Sequence, residues 1–146
     1  MNLRKLRSEK GTALLETALV LPLLLAVSVG IFEFGRAYQT WQVITNAARE
    51  GARVAVLPNS SATAATTRAK AYLTSGQLPD AGSATVAVTP ETLDLGGGLT
   101  AGASKVTVSY PFQFIALGPV VQLLSTSPTT IGSSVTMTAS AVMRNE

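Results

Sequence analysis

The carboxylates are the first side chains to consider for chemistry in this 146-residue chain, because the sequence contains no cysteine and no histidine, and none of its tyrosines and serines has a visible base partner. A thiol nucleophile, a disulfide framework and an iron–sulfur cluster are thereby excluded, as are an imidazole base and the usual His-rich zinc site. Glu91 and Asp94 lie in a polar stretch and offer too few oxygen ligands for Ca²⁺. We therefore expect no enzymatic activity, no catalytic residue, no metal, no cofactor and no small-molecule substrate.

Glu16 is the carboxylate that most needs an explanation. It is the only charged residue between Thr12 and Phe32. A helix of that length rises about 31 Å, enough to cross the roughly 30 Å hydrocarbon core of a bilayer. A carboxylate within such a span costs roughly 2.5–3.5 kcal/mol and is usually functional or paired, although near the cytoplasmic end it could instead reach water or headgroups. Pro22 lies inside the same span and predicts a helix kink.

The charges are concentrated at the N-terminus. The first ten residues carry a net charge of +3, and the other 136 residues hold seven basic and seven acidic side chains. Basic residues that precede a membrane span favour a cytoplasmic N-terminus and an extracytoplasmic C-terminal part. The balanced remainder offers no basic face, so we expect no nucleic-acid partner.

Two other interpretations of the apolar run stay open. The run could be a buried helix of a soluble protein, although no other helical pattern in the chain is long enough to surround it. It could also be the apolar region of a signal peptide, since Ala26-Val27-Ser28 forms a small-x-small site for cleavage after Ser28. Against a signal peptide, Pro22 interrupts the run and apolar residues continue past Ser28.

The helical pattern continues beyond the span without a loop signal. Between Glu33 and Val56 apolar residues recur at steps of three or four, which predicts an amphipathic continuation of one long helix from about Thr12 to Val56. Pro58 ends the pattern. The predicted apolar face consists of Phe34, Tyr38, Trp41, Ile44, Ala48, Ala52 and Ala55.

Residues 58–146 predict a small α+β domain. Asn59 or Ser60 is expected to cap a short helix at about Ser61–Leu73, with Ala65, Ala69, Tyr72 and Leu73 on one face. Alternation predicts strands at Ala84–Thr89, Lys105–Tyr110 and Thr130–Met143, with an exposed loop at Pro90–Ala103. These strands form a small antiparallel sheet covered by the helices. Phe112–Leu124 is apolar and could belong to the core or to a contact surface.

Several motifs of the N-terminal region resemble one family. They are a basic leader ending in Gly11, Glu16 five residues later, ALVLP before the apolar run, EFGRA and TNAAREGAR. This combination resembles the TadE-like pseudopilins of the Tad (Flp, type IVc) pilus system. The motif residues outside the span are Glu33, Gly35, Arg36, Asn46, Arg49, Glu50, Gly51 and Arg53.

The resemblance implies a processed, single-pass inner-membrane protein with a pilin-like fold. A prepilin peptidase would remove the leader, residues 1–11, leaving Thr12 as the new N-terminus. The span would then cover residues 12–32, the amphipathic continuation 33–57 and the extracytoplasmic domain 58–146. Glu16 would pair with the N-terminal amine of a neighbouring subunit.

The function that the resemblance implies is that of a minor pilin or pseudopilin in Tad pilus assembly. Its partners would be the membrane, the prepilin peptidase, other pilin or pseudopilin subunits and the assembly platform, and it could reach the pilus or cell surface after assembly. Two alternatives remain open at this point. One is an uncleaved, membrane-anchored extracytoplasmic binding module, and the other is a secreted domain released by cleavage after Ser28.

Overall fold

A computed structural model describes residues 9–119 and 134–145 of the chain. Helix α1 spans Glu9–Ala55, α2 spans Ala62–Ser75, and a 3-10 turn spans Ala81–Ser83. Strands β1 (Thr85–Gly96), β2 (Leu99–Phe112) and β3 (Val135–Arg144) follow. The predicted α+β class is confirmed: a long N-terminal helix packs on a small three-stranded antiparallel sheet.

The described residues form two compact units. The first contains residues 9–35 and 114–119, and the second contains residues 36–113 and 134–145. The first unit therefore holds the apolar half of α1 with the segment after β2, and the second holds the other half of α1 with α2 and the sheet. The predicted division into leader, span, continuation and domain follows sequence pattern and family resemblance, whereas these two units follow contacts between residues, so that division stays a prediction.

In the first unit, α1 is a continuous helix around Pro22. It begins at Glu9, three residues before the predicted start, and the kink expected at Pro22 stays a prediction. The hydroxyls of Thr17 and Ser28 donate to the carbonyl oxygens of Ala13 and Leu24, each at 2.8 Å. Such bonds one turn back satisfy hydroxyl groups that would otherwise be unpaired in an apolar environment.

In the second unit, α1 buries a face of small residues. Ile44, Ala47, Ala48 and Ala52 are fully buried. A Cβ atom added to Gly51 would lie 3.1 Å from Val106 Cγ1 on β2 and 3.2 Å from Ala69 Cβ on α2. The small side chains let the helix backbone approach the sheet and α2 closely.

The apolar face predicted for α1 is only partly correct. Ile44, Ala48 and Ala52 are buried as expected, but Phe34, Tyr38 and Trp41 are exposed. Steps of three and four residues keep all these positions within about 120° of one another around the helix, and Phe34 and Ala52, 18 residues apart, point in the same direction. Periodicity therefore places the residues on one face, and contacts with other elements decide which part of that face is buried.

The N-cap of helix α2 lies one residue after Ser60 and two after Asn59, the two predicted caps. Ser61 is the N-cap, and its Oγ accepts a hydrogen bond from the Ala64 N–H at 3.1 Å, so the expectation of Asn59 or Ser60 is wrong. Asn59 instead adopts a left-handed conformation, with φ 61°, in the preceding turn. Ala65, Ala69 and Leu73 are buried as predicted.

The sheet has the order β1-β2-β3. Val86 pairs with Val108 and Val88 with Val106. In β2, Val106, Val108 and Tyr110 lie on one face, and all three are buried. Strand β3 matches the described part of the predicted Thr130–Met143 strand, of which residues 130–133 lie outside the described residues.

The exposed loop predicted at Pro90–Ala103 is wrong. These residues extend the hairpin, with pairs from Pro90↔Ser104 to Asp94↔Thr100. The turn lies at Gly97–Gly98, after Gly96 at the end of β1. All three glycines have positive φ, at 84°, 63° and 80°, a conformation that glycine adopts without steric cost. The Gly96 N–H donates to Asp94 Oδ1 at 2.8 Å. Most residues in this part of the hairpin are exposed on both faces. Apolar and polar residues alternate only where one face of a strand is buried, so the sequence shows no strand pattern here.

Candidate functional site

The predicted processing bond, Gly11–Thr12, lies in the first turns of α1. Both residues are exposed, and a Cβ atom added to Gly11 would meet no atom within 4 Å. The bond is therefore sterically open within its unit but helical. A protease that binds its substrate in an extended form would first have to unwind this end of the helix. Helix ends are where such fraying is least costly.

Glu16 lies four residues after Thr12 in the same helix, so the two residues share a helix face. The Glu16 side chain is exposed and borders an open groove of about 230 Å³. The other residues lining the groove are Thr17, Val20, Leu21 and Leu24. A carboxylate in such apolar surroundings would gain strongly from a cationic partner once the surroundings are lipid or protein.

The motif residue Glu33 has a different environment. Only 2% of it is exposed, and its Oε1 atom accepts hydrogen bonds from the backbone N–H groups of Ile115, at 2.8 Å, and Ala116, at 2.6 Å. Bonds of this kind to a charged acceptor are stronger than neutral ones. Glu33 is thus an anchor for the segment that follows β2, a role that sequence reasoning missed because the partners lie 82 and 83 residues away.

Arg36 contacts the end of β2 within the second unit. Its Nη1 and Nη2 atoms lie 3.4 and 3.5 Å from the carbonyl oxygen of Gln113, and its guanidinium lies 5.1 Å from the centre of the Phe112 ring. That distance is suitable for a cation–π interaction. The preceding motif residue, Gly35, is exposed, and a Cβ atom there would meet nothing within 4 Å.

The TNAAREGAR motif belongs to the packing of α1 in the second unit. Glu50 Oε2 lies 3.1 Å from Arg53 Nη2 and 3.2 Å from Arg68 Nε on α2. The hydrogen bonds from Arg53 and then Arg68 hold the pKa of the Glu50 carboxyl below its ordinary value. Gly51 provides the close approach described above, and Arg49 is exposed.

Asn46 borders an open groove of about 270 Å³ between α1 and the end of α2. The other residues lining it are Gln42, Val43, Tyr72, Ser75 and Gly76. A Cβ atom on Gly76 would lie 2.5 Å from Val43 Cγ1, so glycine is required there for the two helices to approach.

Among residues 9–119 and 134–145, no three acidic side chains are grouped as metal ligands would be.

One helix in the described part of the chain is long and apolar enough to cross a membrane. It runs over Gly11–Ala55, its most apolar 18-residue window has a mean hydropathy of 2.2, and none of that window is buried in the protein. A helix with this exposed apolar surface is compatible with a single-pass membrane anchor.

Comparison with known proteins addresses the same region. Residues 11–53 match the family described as TadE-like protein. No match was found among curated proteins or among solved structures. The resemblance seen in the sequence motifs is therefore confirmed over the segment that contains Gly11, Glu16, EFGRA and TNAAREGAR, and that segment is similar to TadE-like proteins.

Proposed function

We propose that this protein is a minor pilin or pseudopilin that takes part in assembly of a Tad-type pilus. The observation that carries the proposal is the TadE-like match over residues 11–53, which coincides with the exposed apolar part of α1 and includes Glu16. A costly carboxylate in a membrane span calls for a partner. A filament of packed subunits would supply one in the N-terminal amine of a neighbour.

The proposed sequence of events begins with insertion of the apolar half of α1 into the cytoplasmic membrane, with the N-terminus inside. A prepilin peptidase then hydrolyses the Gly11–Thr12 bond and removes the basic leader. The new ammonium group at Thr12 and the carboxylate of Glu16 allow each subunit to pair with the next as it leaves the membrane. The protein acts by packing against other subunits and not by catalysis.

The N-terminal residue of the purified protein tests this proposal. The chain is expressed in membranes together with a Tad-type prepilin peptidase, and its mass and N-terminal sequence are measured. We expect Thr12 as the first residue. Met1 or Asn2 would instead indicate an uncleaved anchored binding module, and Val29 would indicate a secreted domain; either result contradicts the proposal.

A matched pair of variants makes this experiment specific. Gly11→Val places a bulky, β-branched side chain at the cleaved bond and should leave the leader attached. Gly30→Val is the control, because Gly30 lies on the same helix and a Cβ atom there also meets nothing within 4 Å. Normal processing of Gly30→Val shows that a loss in Gly11→Val concerns the scissile bond and not insertion of the helix.

A further inference from the structure

The segment after β2 combines a fixed backbone with an exposed apolar side chain. Its N–H groups at Ile115 and Ala116 both donate to Glu33 Oε1, yet 62% of Ile115 is exposed. By contrast, Phe112 is 2% exposed and belongs to the core of the second unit. The apolar stretch Phe112–Leu124 is therefore buried at Phe112 and exposed at Ile115. Residues 120–124 of that stretch lie outside the described residues.

Glu33 fixes where this segment lies in its unit. It directly follows Phe32, the last residue of the apolar run. The apolar residues around it on α1 are exposed: Ile31 at 70%, Phe32 at 58% and Phe34 at 81%. Because Glu33 holds the Ile115 backbone by a hydrogen bond, Ile115 is held beside the end of the run and adds to this exposed apolar surface.

We propose that Phe114–Pro119 is a second membrane-contacting element, which Glu33 holds against the lipid headgroup layer where α1 leaves the bilayer. This inference rests on the membrane anchoring in the proposed function. The layer around the end of a span is made of lipid headgroups and favours aromatic and apolar side chains. The segment carries no charged residue. Its two anchored N–H groups are already paired, which removes the cost of bringing them into an apolar layer.

A cysteine-free chain allows a direct test, since a single introduced cysteine can carry a nitroxide spin label. The Ile115→Cys protein is labelled and reconstituted in vesicles of phosphatidylcholine and phosphatidylglycerol. Collision with oxygen reports contact with lipid, and collision with a water-soluble nickel chelate reports contact with water. We expect the label at position 115 to favour oxygen. Labels at Leu23→Cys, within the run, and Gly82→Cys, in the 3-10 turn, supply the lipid and water references.

The anchor itself is tested in the Ile115→Cys background. Glu33→Ala removes the acceptor, and nickel accessibility at position 115 should rise several-fold toward the Gly82 reference. Glu33→Gln retains a side-chain carbonyl oxygen that can accept both N–H groups, so its label should stay close to the parent value. Circular dichroism spectra of the three proteins verify that the variants remain folded.

Three results would overturn the inference. A label at position 115 as accessible to nickel as the Gly82 label, with the Leu23 label in lipid, would show that the segment faces water. Low accessibility to both reagents would show that a protein partner, such as a second copy, covers it. A Leu23 label that faces water would refute the membrane anchoring itself and, with it, this inference.

Discussion

Glu16, Glu33 and Glu50, three of the glutamates on α1, have three different environments, and each environment sets the role of the residue. Glu16 is exposed beside apolar side chains, Glu33 is buried on two backbone N–H groups, and Glu50 bridges two arginines. A buried carboxylate is tolerated only with such partners, and Glu33 has them within the protein; Glu50 is partly exposed and pairs with Arg53 and Arg68. Glu16 is the glutamate whose surroundings are suited to a partner from another subunit.

The first prediction concerns Glu16. Glu16→Ala should insert into the membrane and be processed normally but should fail to enter filaments, because the charge that pairs with a neighbouring amine is lost. Glu16→Gln should fail in the same way, since it keeps the shape and loses the charge. The measurement is the amount of the protein in sheared pilus fractions and in membranes.

A neighbouring residue supplies the control for that prediction. Thr17 lines the same groove, but its hydroxyl already donates to Ala13 O, so Thr17→Ala should assemble normally. Normal piliation by Glu16→Gln would show that the charge is not needed for assembly.

The second prediction concerns Tyr110 in the second unit. Its hydroxyl donates to the carbonyl oxygen of Pro79. Burial raises the pKa of the Tyr110 phenol and nearby Asp80 raises it further, whereas Arg36 opposes them. Because the pKa is higher in the folded protein than in the unfolded chain, where it is about 10, the contribution of Tyr110 to stability is fully present below about pH 10 and is lost as pH rises through the folded-state pKa.

Replacement of Tyr110 by phenylalanine tests this. Tyr110→Phe should lower the free energy of unfolding by about 0.5–1.5 kcal/mol near neutral pH, because one hydrogen bond is lost. The difference between the parent and the variant should shrink above about pH 10. Urea unfolding in detergent at several pH values measures both quantities, and a difference that grows with pH would contradict the assigned pKa direction.

At the scale of elements, α1 serves two purposes along its 47 residues. Its apolar half has exposed side chains and needs no sheet to satisfy its backbone, which suits a membrane span. Its other half buries alanine and glycine against β2 and α2. Leucine-sized residues on that face would hold the helix too far from Val106 and Ala69. The motif glycine Gly51 is therefore a packing residue.

The third prediction follows from that packing. Gly51→Val should destabilise the second unit by about 1–3 kcal/mol, as overpacking of a close contact does. Gly82→Val is the matched control, because a Cβ atom at Gly82 meets nothing within 4 Å, and its effect should stay within about 0.5 kcal/mol. Thermal unfolding of both variants in the same detergent compares them. Equal stability of the two variants would show that Gly51 is not tightly packed.

At the scale of the whole molecule, charge placement predicts orientation in the membrane. The fourth prediction is that protease added to spheroplasts cuts the C-terminal domain while the N-terminus stays protected. Replacing Arg4, Lys5 and Arg7 with glutamine should increase the fraction inserted in the opposite sense, because the cytoplasmic bias of basic residues is reduced. An orientation that does not respond to these changes would contradict a role for the basic leader in topology.

The sequence by itself determined the features that depend on local pattern. The long apolar run defines the helix that continues through Pro22, and alternation defines the Lys105–Tyr110 part of β2, where Val106, Val108 and Tyr110 are buried. The family motifs are also local, so they were readable without a fold. The same local reasoning placed α2 within two residues of its observed bounds.

Only the tertiary structure decided which distant residues meet. The role of Glu33 depends on N–H groups more than 80 residues away. The pairing of Pro90–Ala103 depends on a glycine turn that closes the β1–β2 hairpin after a register shift between Asp94 and Gly96. The exposure of Tyr38 and Trp41 likewise follows from which side of α1 the sheet occupies. The physical reason is common to all three: periodicity records how a residue is placed within its own element, whereas contacts between elements depend on packing and register that no single segment encodes.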